Sequence, residues 1–417
     1  MKQASVHSAE RPKTKGAGLA RPLAAGLIAA ALSGAPALAD DLAQRVDAVI
    51  DRWVSAEKIV GVVAMIARDG EIVYRRAAGY ADREAGIATK EDTIFRHASN
   101  TKAIVSAAAL ALVERGKLSL DDTVEEWLPY FTPRLADGSR PDITIRQLMT
   151  HTSGLSYAFL EPEGNAYRRE RIPQGLDGAR MTLEESLRRL ASVPLFYVPG
   201  TEWRYSLSTD VLGAVVEKAA GMSLPEAVAH YVTGPLGMRS TSFLVADKAR
   251  LAAAYRDGES RAVRMNEEED ELPLGVPASP GRALDPAAYP SGGGGMSGTA
   301  EDYLRFLEAL RTGGAPILAD ESAALFAQHA IGDLRAWTEG EGWGFSLAAA
   351  VLLDPQAART PQNAGTWQWG GVYGSHWFVD PADKLTVVVL TNTSVAGVIG
   401  EFPAELRDAI YAVRKGG

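Results

Sequence analysis

The sequence predicts an α/β protein of the α+β kind: one antiparallel sheet flanked by helices, with a mostly helical region inserted into it. Three observations carry this. Strand-forming runs lie near both ends of the chain, in "GVVAMIARDGEIVYRRAAGYA" and again in "GTWQWGG", "SHWFVDP" and "LTVVVLTNT". Between them the apolar residues repeat with helical spacing. A closing helix, "FPAELRDAIYAVRK", follows the last strand. Strands brought together from both ends of a chain, with helices between, make a sheet with an insertion, and the cleft between the two parts is where a site is expected.

Each element has its own signal. Leu42, Val46, Val49, Ile50 and Trp53 share one face of a first helix. Asp69–Gly70 between two strand runs is a two-residue hairpin turn. A helix starting at Ser99 comes next. Thr182 with Glu185, and Ser223 with Glu226, form capping boxes at the heads of two later helices. "TDVLGAVVEKAAG" is a helix closed by Gly221, and "TAEDYLRFLEALRTGG" is one ending at Gly313. The stretch from Asp257 to Gly298, rich in charge, Pro and Gly, reads as a long surface excursion. "GWGFSLAAAVLLD" adds a further strand region. The expected division is residues 40–116 and 315–417 for the α/β part and 117–314 for the helical insertion, within a single unit at 40–417.

Composition narrows the function. The chain has 417 residues, 46 % of them apolar, and a formal charge of −9. That is enough apolar material for a large core, and the negative charge disfavours nucleic acid or an anionic membrane surface as partner. The absence of cysteine excludes disulfides and thiolate chemistry. Residues 1–39 resemble a signal peptide: a basic stretch with Lys2, Arg11, Lys13, Lys15 and Arg21, the apolar "PLAAGLIAAALSGAPA", and a small-residue cleavage site ending at Ala39. Export to the periplasm or beyond is the expectation. No spanning helix is expected in the mature chain, and the oligomeric state is open.

The chemistry centres on "FRHASNTKAIVSAAALALVERG". Ser-x-x-Lys is a cheap pattern: 25 serines and 11 lysines supply about 0.7 matches by chance. Two occur, Ser55–Lys58 and Ser99–Lys102. The first ends a helix of mixed charge and reads as structural. The second heads a helix in which only Ser106 is polar between Ala103 and Val113, so that helix is buried and brings its first-turn lysine inside. Burial favours the neutral amine, which accepts a proton. Ser99 stands at the helix N-terminus, where backbone N–H groups favour developing negative charge. Serine is also a favoured helix cap, and from these residues alone both readings stand. Tyr205 at a helix entry is a candidate proton relay, and Gly370–Gly371 beside strand residues suggests close backbone approach to a ligand. Six histidines without a tight cluster give no metal site, and no Gly-x-Ser-x-Gly elbow is present.

Ser99-x-x-Lys102, "LMTHTSGL", Tyr205-Ser206-Leu207, "PSGGGGMSG" and Trp369-Gly370-Gly371 together resemble, in order and spacing, the serine β-lactamase and penicillin-binding-protein superfamily. Within it the chain looks most like the family VIII carboxylesterases, from about residue 42 to the end. The resemblance implies a β-lactamase/transpeptidase-like fold and an acyl-enzyme on Ser99. Lys102 would act as general base in concert with Tyr205, and the backbone N–H groups of Ser99 and Val372 would form the oxyanion hole. Trp369, Gly370, Gly371, Leu207 and Tyr157 are the expected substrate contacts, with no metal or organic cofactor. Two departures from the lactamase pattern favour short, uncharged esters over β-lactams or cell-wall peptides. Leu207 stands where lactamases carry the Asn of Tyr-x-Asn, and Trp369 stands where they carry a cation. A β-lactamase or DD-peptidase, an acyltransferase or amidase, and a non-catalytic penicillin-binding-like sensor are the alternatives.

Overall fold

The computed structural model describes residues 35–412. Most of the expected targeting segment therefore lies outside the described residues; the first helix, α1 (Ala35–Ser55), begins within its last five positions.

The sheet has eight strands: β1 (Gly61–Arg68), β2 (Glu71–Asp82), β3 (Ile87–Ala88), β4 (Trp343–Phe345), β5 (Ala350–Leu352), β6 (Trp367–Gly371), β7 (Ser375–Asp380) and β8 (Leu385–Thr391). Their spatial order is β4-β5-β6-β7-β8-β1-β2-β3, with every pair antiparallel. The chain thus closes its sheet by setting its last strand beside its first, Val62 opposite Thr391 and Arg68 opposite Leu385. Asp69 and Gly70 both have positive φ (53° and 88°), the conformation of a tight hairpin turn whose twist suits the flanking strands.

Side chains alternate along each strand, so β1 and β8 feed two cores. Val63, Met65, Val388 and Leu390 face the helical region. Val62, Ala64, Ile66, Val387 and Val389 face α1 and the closing helix. Both faces being covered explains why β1 reads as an unbroken apolar run.

The helices that matter for the site are α2 (Thr101–Glu114), α3 (Leu183–Ala191), α4 (Ser208–Ala220), α5 (Ala300–Arg311) and α6 (Glu401–Tyr411). Residues Thr101 to Leu112 of α2 are all buried, and α2 packs on α4. Thr182 and Ser223 each cap their helices through reciprocal boxes with Glu185 and Glu226, and Gly221 closes α4 at φ 70°.

Three expectations need correction. The α2 helix does not start at Ser99. A 3₁₀ turn, Ala98–Asn100, precedes it, and Asn100 occupies the cap position without a side-chain cap. Helix α5 falls inside the expected insertion by number but packs against β8 and β1. The stretch from Asp257 to Gly298 is not all surface. Its outer part enters short ribbons: Val263–Arg264 pairs back with Tyr255–Arg256 just ahead of the stretch, and Asp270–Leu272 pairs with Val276–Ala278. Its last part, Ser291 to Gly298, is almost wholly buried and runs beneath α2.

Among the described residues no helix is long and apolar enough to cross a membrane. Among the same residues no group of three or more His, Asp or Glu could hold a metal ion.

Candidate active site

The Ala98–Asn100 turn is pinned from several sides. Ala98 is fully buried with φ 43°, a conformation a non-glycine residue holds only when its surroundings fix it. Asn100 Nδ2 donates to Ser375 Oγ (3.0 Å), the Trp377 indole donates to Asn100 Oδ1 (3.2 Å), and the Tyr303 hydroxyl donates to the Asn100 carbonyl (3.0 Å). The turn aims Ser99 into a cleft of about 430 Å³ whose apolar wall includes Tyr157, Phe159, Leu160, Leu176 and Trp369.

Two groups converge on Ser99 Oγ. The Tyr205 hydroxyl donates to it at 2.5 Å and Lys102 Nζ at 3.3 Å. Lys102 is 3 % exposed, and its Nζ also donates to the Gly293 carbonyl at 2.6 Å. Burial pulls its pKa down to about 7, with the negative charge of Asp210 acting against the shift. Burial pushes the Tyr205 phenol in the opposite direction, well above its ordinary range, so at neutral pH Tyr205 keeps its proton. The Lys102 ammonium lies 4.6 Å from the Tyr205 ring centroid and 5.4 Å from that of Tyr157.

The third wall is the β6–β7 hairpin. Gly371 pairs with Ser375, and the Gly374 N–H returns to the Gly371 carbonyl. A β-carbon at Gly371 would lie 2.1 Å from the His97 carbonyl oxygen, so only glycine lets this strand end approach the nucleophile turn. Among the described residues neither the Ser99 nor the Val372 backbone N–H donates to another protein group. Two free N–H donors flanking a serine hydroxyl are what an oxyanion needs.

The sequence-predicted residues divide accordingly. Ser99, Lys102 and Tyr205 meet. Trp369, Gly370, Val372 and Tyr157 line the same cleft, and Gly371 sits at its base. Leu207 does not line it: the residue is 2 % exposed, stands at the cap of α4 and packs into the main core. The Ser55–Lys58 pair is remote from the cleft; Lys58 Nζ donates to the Glu259 carbonyl and Ser55 is exposed.

None of His97, His151 and His376 hydrogen-bonds Ser99. His151 Nδ1 bonds Ser206 Oγ (3.0 Å), His376 Nδ1 bonds the Gly397 carbonyl (2.9 Å), and the buried His97 ring makes no hydrogen bond among the described residues. His151 instead backs Tyr205, ring centroids 5.0 Å apart, at φ 57°.

Gly293 was legible only as part of a glycine run. Its carbonyl holds Lys102, and a β-carbon there would lie 2.5 Å from Asp210 Oδ2 and 3.2 Å from the Tyr157 hydroxyl. Asp210 and Glu339 had no motif to announce them. Asp210 is buried beside this cluster, its carboxyl raised above the usual range by desolvation.

Comparison with known proteins gives a consistent set of likenesses. The family model described as Beta-lactamase matches residues 40–411. The chain is 52 % identical over 379 residues to Esterase EstB of Burkholderia gladioli, covering 90 % of this chain and 96 % of that protein. Among solved structures it resembles EstCE1, described as a hydrolase with promiscuous acyltransferase activity. That match has 46 % identity and a TM-score of 0.87, and covers 90 % of this chain and all of the other. Simvastatin Synthase (LovD) from Aspergillus terreus, at 24 % identity and TM-score 0.72 over 89 % of this chain and 98 % of the other, shares the fold.

Proposed function

This chain belongs to the beta-lactamase family, and on that footing we propose that it hydrolyses esters through an acyl-enzyme on Ser99. It is a serine hydrolase acting on carboxylic esters. The observation that carries the mechanism is the pair of contacts at Ser99 Oγ, Lys102 on one side and Tyr205 on the other.

The opposed pKa shifts divide the labour. A buried lysine with a pKa of about 7 has a large neutral fraction at physiological pH, while the phenol stays protonated. Lys102 takes the Ser99 proton as Oγ attacks the ester carbonyl, one N–H remaining on the Gly293 carbonyl to hold the amine in place. The resulting oxyanion lies against the Ser99 and Val372 N–H groups; one such donor contributes about 3–4 kcal/mol to the transition state. As the intermediate collapses, the carbon–oxygen bond to the leaving group breaks and the departing alkoxide takes the Tyr205 proton. Tyr205, left as a phenolate, takes back a proton directly from the Lys102 ammonium, whose Nζ lies 4.6 Å from the centre of its ring. Water then attacks the acyl-enzyme by the same steps, returning the acid and the free serine.

What supports uncharged esters over β-lactams is the cleft wall. Trp369, its ring 5.3 Å from that of Tyr205, occupies the place where the resemblance puts a lactamase cation, leaving a substrate carboxylate without a partner there. The test is a screen of nitrophenyl esters of rising acyl length beside nitrocefin, with Ser99→Ala as control. Ester turnover should exceed nitrocefin turnover and vanish with Ser99→Ala. Nitrocefin turnover equal to that of the best ester would overturn the preference, and full activity of Ser99→Ala the mechanism.

A further inference from the structure

The cleft carries one acidic side chain that the mechanism does not use. Glu339 lines it together with Gln362 and Gln368. Gln368 Nε2 donates to Glu339 Oε2 at 3.1 Å, Gln362 Nε2 donates to Gln368 Oε1 at 3.4 Å, and the Thr360 hydroxyl donates to Gln362 Oε1 at 2.8 Å. This chain of amides fixes the carboxylate to β6 one residue before Trp369.

Among the described residues no cation pairs with Glu339; its neighbour in sequence, Glu341, takes Arg335. The other charges along the cleft do not cancel it. Arg407, on α6, is matched by Asp408 at 3.0 Å. His376 is held neutral, its pKa pulled by burial down to about 4. Tyr157 and Tyr205 stay protonated because burial raises both phenols. The negative charge of Glu339 also adds to the upward shift of the Tyr205 phenol, so its field reaches the reacting groups. Burial raises the Glu339 carboxyl itself above the usual carboxylate range.

We propose that Glu339 sets the charge preference of the cleft. It favours esters with an ammonium group near β6 and disfavours those with a carboxylate there. Thus Trp369 removes a cation from this wall and Glu339 adds an anion to it. The inference rests on the esterase reading and goes beyond it: the aromatic wall also attracts an ammonium group, but that attraction survives Glu339→Gln, whereas the part set by Glu339 does not.

The experiment uses three thioacetates whose leaving groups are cationic, neutral and anionic: acetylthiocholine, its uncharged dimethylbutyl isostere, and the smaller acetyl mercaptopropionate. Released thiol is read directly, without background from a chain that has no cysteine. A unit charge interacting across several ångströms at an intermediate dielectric is worth about a tenfold rate ratio. For the wild type, kcat/KM should fall from cation to neutral to anion, and added salt should compress the series. Glu339→Gln should reduce the cation-to-neutral ratio about tenfold, and Glu339→Lys should invert the order. Equal losses on all three substrates in Glu339→Gln would show that the residue only braces Gln368, and would overturn the proposal. So would a wild-type series without charge order at low salt, a result that needs no variant to fold. Failure of the esterase reading looks different: the neutral thioester would be left intact by the wild type, or still cleaved by Ser99→Ala.

Discussion

The same four-residue pattern occurs twice in this chain with opposite consequences. Ser55 is exposed at the end of α1, and Lys58 reaches across to a loop carbonyl. Ser99 sits on a pinned 3₁₀ turn, and Lys102, one turn further on, is buried between two aromatic rings and the Gly293 carbonyl. Spacing is identical, so spacing is not what makes a nucleophile. The difference is made by what surrounds the amine. Lys58 lies part-exposed at the surface, whereas burial in a dry helix interior destabilises the ammonium of Lys102.

The largest expected effect separates the two lysines. Lys102→Ala should lower kcat/KM for a nitrophenyl ester by about 10²–10⁴-fold, the usual value of a general base, with an unchanged far-UV spectrum. Lys58→Ala should stay within about 0.5 kcal/mol of wild type in both activity and stability. Near-normal turnover by Lys102→Ala would erase the contrast. Next comes the backbone. Gly371→Ala forces a β-carbon against the His97 carbonyl, which displaces the strand end that leads to Val372. The loss should be about 10²–10³-fold in kcat, as for one oxyanion donor, with KM little changed. A Gly371→Ala enzyme of normal kcat would remove Val372 from the oxyanion hole.

The smallest and most diagnostic effect is the pH profile. Only the neutral amine accepts the serine proton. With the Lys102 pKa near 7, kcat/KM should therefore level off above about pH 7 and fall about tenfold per unit below it. The same shift has a cost in stability, and its sign is fixed. The folded chain releases this proton near pH 7, and the unfolded chain holds it up to the ordinary lysine value of 10.5. Stability therefore rises with pH across that window and is lost as pH falls through it. A profile whose acid limb lay far from neutrality would break the link between burial and basicity.

Much of this was legible from the residues. The apolar run of α2 announced its burial, the capping boxes fixed two helix starts, and Asp69–Gly70 fixed the hairpin. These are local signals, each written within a few positions. Illegible features depend on distant parts meeting. Leu207 looked like a wall of the cleft because the motif places it beside Tyr205, yet at the cap of α4 it packs into the core. Glu339 lies in a stretch without periodicity, and its contact with Gln368, 29 positions later, exists only in the folded chain. The Ser99 side chain looked like a helix cap because the 3₁₀ turn ahead of α2 has no sequence signature of its own.

The ties on the Ala98–Thr101 turn set the order in which the enzyme can assemble. Lys102 is held by a carbonyl 191 positions away, and Asn100 by groups 203, 275 and 277 positions away. Contacts of such span close very large loops, and they form late because the chain entropy is lost before they contribute anything. Helix α2 can form early from its own alanines and leucines, but without these ties the Ser99 turn ahead of it has no fixed direction and Lys102 is not held in a dry site. During refolding, helical content should return well ahead of catalysis. The nucleophile is among the first groups to be placed in a helix-turn segment and among the last to become reactive.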